Sequence, residues 1–170
     1  MTIHQYNKGV DEWADGAYAF AIRCGGSSED SKDAVQEAFT VLWEKRDSVP
    51  YEKGRSFLLS VVYRQMMNHF RRLGRMEYKW DINDDDFSSP PESPPNEQFD
   101  RKTVLQHCLD QMKPQQRALL RLRDIEGYSY KEMADMLSLS EQQVMVYLFR
   151  SRITLKKLLK ANGIDSLDDI

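Results

Sequence analysis

Residues 128–143 read Tyr-Ser-Tyr-Lys-Glu-Met-Ala-Asp-Met-Leu-Ser-Leu-Ser-Glu-Gln-Gln, and this stretch decides the fold of the chain. It contains two helix-start signals, in which a serine is followed three residues later by Glu or Gln. Ser129 precedes Glu132 in this way, and Ser140 precedes Gln143. Each pair has the spacing of a capping box, so each serine is expected to begin a helix.

Apolar side chains give both of these helices one face to bury. The first helix is predicted over residues 129–137, and the second, over 141–161, carries apolar or small residues at i, i+4, i+7 and i+11. Two helices joined by a three-residue turn form the layout of a helix-turn-helix, whose second helix enters the major groove of DNA. An ordinary helical hairpin would give the same pattern, so both interpretations stay open. The residues of these two faces are Met133, Ala134, Leu137, Val144, Leu148, Ser151 and Leu155.

Length and composition are those of a globular protein. The chain has 170 residues, of which 41% are hydrophobic, enough for one domain or two small ones. Its longest apolar runs are a few residues and its first residues lack a secretory pattern, so a cytoplasmic protein without membrane insertion is expected. Cys24 and Cys108 are far apart and have no ligand cluster beside them, which predicts free thiols and no metal site.

Charge is distributed unevenly along the chain, whose formal net charge is −3. Residues 77–100 hold eight acidic residues and one basic residue, whereas residues 101–160 hold twelve basic and six acidic ones. Residues 53–75 contain six basic residues and no acid. The overall acidity therefore conceals two basic regions of the kind that attract phosphate backbones.

Proline and aspartate divide the chain into two parts. Residues 83–97 contain four prolines and three consecutive aspartates, which predicts a flexible acidic linker. Neither flank shows two-residue alternation, so we expect an all-α protein of two small helical domains, the second containing the helix-turn-helix. The predicted domains are 1–76 and 100–163, separated by a linker at 77–99 and followed by an acidic tail at 164–170. The helices are expected at about 8–24, 30–46, 55–73, 98–112, 114–126, 129–137 and 141–161.

The helix predicted over residues 55–73 has two chemically different faces. Leu59, Val62, Met66, Phe70 and Leu73 share one side of a helical wheel. The opposite side carries cations and an amide, which could hold phosphates and hydrogen-bond base edges, while two flanking rings could stack on unpaired bases. A purely solvated basic face is the alternative, although such a face more often mixes signs. These polar residues are Arg64, Asn68, Arg71 and Arg75, and the flanking rings are Tyr63 and His69.

The helix predicted over residues 30–46 resembles a protein contact more than a nucleic-acid contact. Its buried stripe is predicted from Val35, Ala38, Phe39 and Leu42. An aromatic residue beside acids and an amide then lines the edge of that stripe, which is typical of protein interfaces. The alternative is that this residue, Trp43, simply completes the core.

In their order and spacing, these segments resemble the extracytoplasmic-function (ECF) group of bacterial RNA polymerase sigma factors, and the likeness covers almost the whole chain. Residues 56–72 resemble the helix that melts and reads the −10 promoter element. Residues 112–117 and 127–134 resemble the domain that reads the −35 element. The polymerase-binding helix of the family, which docks on the clamp coiled coil of the largest subunit, is matched by Asp30-x-x-Asp33-x-x-Gln36-Glu37-x-Phe39-x-x-Leu42-Trp43.

The resemblance implies a dissociable specificity subunit that is not an enzyme and needs no cofactor. Its partners would be core RNA polymerase, promoter DNA and an anti-sigma factor, and it would be a monomer when free of them. For polymerase binding the implied residues are Asp33, Gln36, Glu37, Thr40 and Trp43. For the −10 element they are Lys53, Arg55, Tyr63, Arg64, Asn68, Arg71, Arg72 and Arg75. For the −35 element they are Lys131, Ser140, Glu141, Gln142, Gln143, Met145, Val146, Arg150 and Arg152.

At three positions the chain departs from the family pattern. The family often has Asn at the position of Arg64, Asp at that of Asn68 and Lys at that of Met145. A methionine cannot bind phosphate, so the affinity for the −35 element is expected to depend on the neighbouring glutamines, arginines and the lysines at 156, 157 and 160.

Two other functions fit parts of the pattern. A conventional helix-turn-helix regulator would bind duplex DNA without polymerase, but it gives no reason for the pattern at residues 30–46. A pure protein-binding module that has lost its DNA contacts would fit Met145 and the overall acidity. An enzyme is the least favoured class, because the three histidines are scattered and no nucleophile triad or phosphate loop is present in the sequence.

Overall fold

The structure, a computed structural model, describes residues 1–74 and 101–164. Within them the chain forms seven α-helices and one π-helical turn, which confirms the predicted all-α class with two helical units. The predicted linker at 77–99, Arg75 and residues 165–170 of the predicted tail lie outside the described residues. The helices are α1 Ile3–Arg23, α2 Ser28–Glu44, α3 Tyr51–Arg72, α4 Arg101–Asp110, α5 Pro114–Leu120, α6 Tyr130–Leu137 and α7 Glu141–Ala161, with the π turn Arg121–Ile125 after α5.

Helices α1, α2 and α3 pack on one another and form the first unit. The predicted stripe of α2 is confirmed, since Val35, Ala38, Phe39 and Leu42 are all buried. In α3, four of the five predicted core residues are buried, whereas Leu73 lies just past the helix end and is half exposed. No helix of the described residues is both long enough and apolar enough to cross a membrane.

Two helices of the first unit, α1 and α3, begin four or more residues earlier than expected. Helix α1 begins after Thr2, whose hydroxyl accepts the N–H of Gln5 at 3.2 Å while its own N–H donates to the Gln5 side chain at 2.8 Å. Helix α3 begins at Tyr51 after Pro50, four residues before its predicted start, so the connection from the end of α2 at Glu44 is short. Gly54 lies in the gap between the predicted helices 30–46 and 55–73, but the structure places it inside α3, where it is needed for packing.

Gly54 allows α1 and α3 to approach closely around one indole ring. A Cβ atom added at Gly54 would lie 2.5 Å from Cη2 of Trp13, and one added at Gly9 would lie 2.5 Å from Cζ3 of the same ring. Trp13 is only 8% exposed and its ring centroid lies 5.0 Å from that of Tyr51. The two glycines therefore form the slot that holds Trp13 between the helices.

Helices α4 to α7 form the second unit, in which α4, α5 and α6 all pack against α7. Both predicted capping boxes are present: Ser129 caps α6 and Ser140 caps α7. Between them Ser138 adopts the left-handed conformation with φ of 57°, which turns the chain sharply from one helix into the next. All seven residues of the predicted faces of α6 and α7 are buried, so the helix-turn-helix geometry is confirmed.

The two units pack against each other. Helix α3 lies on α6 and α5, and α1 also contacts α5. The end of α1 is part of this junction, since Arg23 donates to Gln106 of α4 at 3.3 Å. Nearby, Cys24 is fully buried with a free thiol, and burial raises its pKa to about 12.

We expect Gly54→Ala to destabilise the first unit, because the added methyl group would overlap the Trp13 ring. Overpacking of this kind costs about 1–3 kcal/mol. Gly16→Ala is the matched control in α1: the atom nearest to its added Cβ is an Arg55 nitrogen at 3.7 Å, so it should be neutral or stabilising by up to about 1 kcal/mol. Urea unfolding followed by circular dichroism measures both, and equal stabilities for the two variants would contradict the slot.

Candidate nucleic-acid interface

Helix α2 places all five residues predicted to bind polymerase on one exposed face. Ser27 caps the helix, since its hydroxyl accepts the N–H of Asp30 at 3.1 Å. The buried stripe then fixes the rotation of α2, so that the opposite side points to solvent. The exposed residues are Asp33, Gln36, Glu37, Thr40 and Trp43, and their role in binding stays a prediction.

Trp43 was predicted either to contact a protein partner or to complete the core, and its surroundings are partly consistent with both. One side of the indole contacts Tyr6, with ring centroids 4.9 Å apart in an edge arrangement. The guanidinium of Arg46 lies over the ring, 4.3 Å from its centroid. The side chain is nevertheless 36% exposed, so Trp43 completes the edge of the core and still presents a surface.

The solvent side of α3 carries the polar row predicted to bind the −10 element. Arg64, Asn68 and Arg72 are exposed, and Arg71 is partly buried. The Arg64 Nε atom donates to the carbonyl of Ser60 at 3.3 Å, and Arg71 Nε donates to Met67 in the same way at 3.2 Å. Within the described part of the chain, Arg64 and Arg72 have no acidic side chain as an ion-pair partner. We call Arg64, Asn68, Arg71 and Arg72 the basic row.

The two aromatic residues beside the basic row differ in exposure, and the stacking predicted for His69 stays a prediction. Tyr63 is only 6% exposed, and burial raises its pKa, so the expectation that its ring stacks on an unpaired base was wrong. Its position on the wheel is adjacent to the core stripe, and the neighbouring elements close over it. His69 is half-buried, with Nε2 3.4 Å from Asp30 Oδ2 of α2.

Arg55 does not share the solvent face of the basic row. It lies nine residues before Arg64, which is two and a half helical turns, so the two side chains leave α3 on opposite sides. Arg55 Nη2 donates to Glu126 Oε2 of the second unit at 2.5 Å. Glu126 also lies 3.3 Å from Nε of Arg121, and its side chain is 7% exposed. Arg55 was predicted to bind the −10 element, but in this structure it is bound to the second unit.

A cleft of about 350 Å³ separates the acidic face of α2 from the basic row of α3. Its α2 wall carries Asp30, Asp33 and Glu37, and its α3 wall includes Asn68 and Arg72. Residues assigned to polymerase and residues assigned to DNA therefore line opposite sides of one opening. A phosphate is repelled by the first wall and attracted by the second, which gives this surface a polarity.

The start of α7 is organised by its cap. The Ser140 hydroxyl accepts the N–H of Gln143 at 3.1 Å, and the Gln143 amide oxygen accepts the N–H of Ser140 at 2.9 Å. These two side chains are therefore engaged in the cap rather than directed at a partner. In the capping box of α6, Glu132 occupies the position that Gln143 has in α7. The pKa of its carboxyl group is lowered because the Ser129 hydroxyl and N–H both donate to it.

The remaining residues predicted to bind the −35 element differ in their surroundings. Lys131, Glu141, Gln142, Met145 and Val146 are exposed, whereas Arg150 is partly buried. Arg152 is exposed but donates to Asp124 Oδ1 at 2.5 Å. The five exposed side chains are one lysine, one carboxylate, one amide and two apolar groups, so we expect fewer direct phosphate contacts than the sequence suggested.

Sequence reasoning missed two residues at these surfaces. Glu126 joins the units, but its partner is 71 positions away, and no local pattern identifies such a pair. Phe149 is 65% exposed on α7, one turn after Met145. The helical wheel could have identified Phe149, because it lies opposite the buried stripe.

Two family models match separate parts of the chain. Residues 10–76 match Sigma-70 region 2, and residues 102–155 match Sigma-70 region 4. The ECF RNA polymerase sigma factor SigE of Mycolicibacterium smegmatis is 30% identical over 157 residues, which cover 88% of this chain and 60% of SigE. RNA polymerase sigma factor YlaC of Bacillus subtilis is 27% identical over 134 residues, 76% of this chain and 77% of YlaC. The chain thus spans less than two thirds of the length of SigE.

Two solved structures share the fold. Sigma factor RpoE of Bartonella quintana, in complex with the anti-sigma factor NepR, has a TM-score of 0.69 at 20% identity and covers 94% of this chain and 99% of its own. CnrH in complex with the cytosolic domain of CnrY has a TM-score of 0.64 at 19% identity, with coverages of 93% and 89%.

We expect Glu126→Gln to loosen the contact between the two units. The substitution removes the charged partner of Arg55 and Arg121, which weakens the contact between the units by about 1.5–3 kcal/mol. The ratio of separated to packed molecules should therefore rise roughly tenfold or more. Small-angle X-ray scattering should then report a larger radius of gyration. Asp124→Asn is the matched control, because it removes the Asp124–Arg152 pair inside the second unit and should leave the radius unchanged. An equal radius for Glu126→Gln and the unaltered chain would show that the pair does not hold the units together.

Proposed function

Because the chain belongs to the sigma-70 family of bacterial RNA polymerase sigma factors and is of the ECF type, we propose that it binds core RNA polymerase and directs promoter-specific initiation. In this proposal it is a specificity subunit and catalyses nothing itself. The observation that carries the proposal is that matches to region 2 and region 4 lie in one chain, each on a helical unit with its own polar surface.

The exposed face of α2 is assigned to core polymerase. It presents carboxylates, an amide, a hydroxyl and an indole on one rigid helix whose other side is fully packed. Its charge is opposite to that of the basic row, so it disfavours DNA at the place where the protein partner would bind. The structural support is the joint exposure of Asp33, Gln36, Glu37, Thr40 and Trp43.

The basic row of α3 is assigned to the −10 element. Strand separation there leaves bases unpaired, and an exposed amide such as Asn68 can hydrogen-bond a base edge while arginines bind the phosphates. The cleft beside Asn68 and Arg72 provides a recess next to this row. Helix α7 is assigned to the duplex of the −35 element, with α6 crossing the backbone beside it.

We infer that binding both promoter elements requires the two units to separate. In this structure α3 packs on α6, and Arg55 is bound to Glu126, so the two DNA-binding surfaces belong to one compact body. The sigma factor RpoE, which shares the fold, was solved with the anti-sigma factor NepR, and CnrH was solved with the cytosolic domain of CnrY. We infer that an anti-sigma factor also binds this chain, and that the packed arrangement is one that such a partner could retain.

The decisive experiment is run-off transcription with purified core polymerase on fragments of genomic DNA. We expect initiation at discrete sites only when the protein is added. Glu37→Lys, which reverses a charge on the exposed face of α2, should reduce both core-polymerase pull-down and transcription at least tenfold. Asp11→Lys makes the same change on the exposed side of α1 and should leave both intact. Sequence-specific duplex binding without any polymerase association would instead support a conventional helix-turn-helix regulator.

Salt dependence tests the basic row. If about six phosphates are neutralised in all, the log–log slope of promoter affinity against salt should be about −5. Replacing Arg64 and Arg72 together with Ala should reduce the magnitude of that slope by about 1.4, because each single-strand phosphate contributes about 0.7. Lys8→Ala removes an exposed cation from α1 and should leave the slope unchanged. Identical slopes for the double variant and the unaltered chain would remove the basic row from the DNA interface.

A further inference from the structure

An apolar patch lies on the exposed side of α7, where a nucleic-acid-binding helix would be expected to be polar. Met145, Val146 and Phe149 are 49%, 45% and 65% exposed. They are spaced at i, i+1 and i+4, so their side chains adjoin on one helix surface. The core of the second unit does not use them, because the buried stripe that begins at Val144 runs along the other side of α7. We call these three residues the apolar patch.

Polar and cationic groups border the apolar patch along the axis of α7. Gln142 precedes it by one turn on the same side, and Lys156 and Lys160 follow it. Lys156 lies seven residues after Phe149, or about 10 Å along the helix. A cation at that distance can reach a phosphate that borders the major groove, which is about 12 Å wide. This order of amide, apolar patch and cations is complementary to a groove floor flanked by phosphates.

The extent of the patch argues against a protein as its main occupant. Each of the three side chains has a total surface of at most about 200 Å² and is about half exposed. Together they provide well under the about 800 Å² per partner that a stable protein interface needs. A second copy of this unit would carry the same lysines beside its own patch, so positive charges would repel each other across such a contact.

Side chains of Met, Val and Phe cannot read a base edge by hydrogen bonding. The one apolar group that the major groove displays is the C5-methyl of thymine, which distinguishes T from C and from uracil. We propose that the apolar patch reads thymine methyl groups in the −35 duplex. This inference rests on the proposed function and assigns the sequence specificity of α7 to van der Waals contact rather than to a basic side chain at position 145.

The test uses holoenzyme reconstituted with the whole chain and a promoter that it transcribes. Each thymine of the −35 duplex is replaced singly by deoxyuridine, which removes only the methyl group and keeps base pairing. We expect promoter affinity to fall about fourfold at one or two positions, as for one carbon withdrawn from an apolar contact. Elsewhere in the duplex the replacement should have no effect.

Variants of the patch connect each methyl group to a side chain. Each serine variant removes one apolar side chain. At the base pair that this side chain contacts, holoenzyme with Met145→Ser or Phe149→Ser should have the same affinity for the thymine and the uracil promoter. Met145→Leu, which keeps the apolar contact, should preserve the preference for thymine. Since these positions are exposed, the variants should retain the fold, which circular dichroism verifies.

Three results would overturn the inference. The first is an affinity that no uracil replacement changes, in a holoenzyme that still transcribes the promoter; this leaves the proposed function intact. The second is a thymine preference that both serine variants retain. The third is a self-association of the unaltered chain that Phe149→Ser abolishes, which would assign the patch to a second copy. Absence of transcription by the unaltered holoenzyme would instead refute the proposed function.

Discussion

Helix α3 has to satisfy three surroundings at once, and the rest of the structure depends on how it does so. One side buries residues such as Leu59, Met66 and Phe70 against α1 and α2. A second side presents the basic row to solvent, where cations keep their hydration. The side opposite that row contacts the second unit through Arg55. Each fully buried apolar side chain stabilises the fold by about 1.5–3 kcal/mol, so the core fixes the rotation of α3 and thereby the direction of every charged residue on it.

Features determined by neighbouring residues could be predicted from the sequence. The capping boxes at Ser129 and Ser140 involve groups three residues apart, and the buried faces of α2, α6 and α7 follow from helical spacing. The exposure of the other face of α2 could be predicted as well, because that face lies opposite a correctly predicted buried stripe. These elements carry the surfaces assigned to polymerase and to duplex DNA, so most of the candidate site was within reach of local reasoning.

Features determined by distant contacts could not be predicted. Gly54 is a breaker by local preference, yet it lies within α3 because the indole of Trp13 occupies the space of its missing side chain. Tyr63 is polar enough for a surface, but neighbouring elements bury it. The pairing of Arg55 with Glu126 joins positions 71 residues apart, and a basic segment alone suggested only that Arg55 would bind phosphate.

The guanidinium of Arg55 creates a competition between intramolecular and intermolecular anions. While Nη2 donates to Glu126, the half-exposed Arg55 side chain has fewer donors left for a nucleic-acid strand, so in the proposed function the two contacts compete. By thermodynamic linkage, the apparent dissociation constant for any ligand of the separated form equals the intrinsic constant divided by the fraction of molecules already separated. The Glu126 carboxylate thus raises the apparent dissociation constant for any such ligand of the first unit. Anything that neutralises or displaces this carboxylate lowers that constant without contacting the ligand.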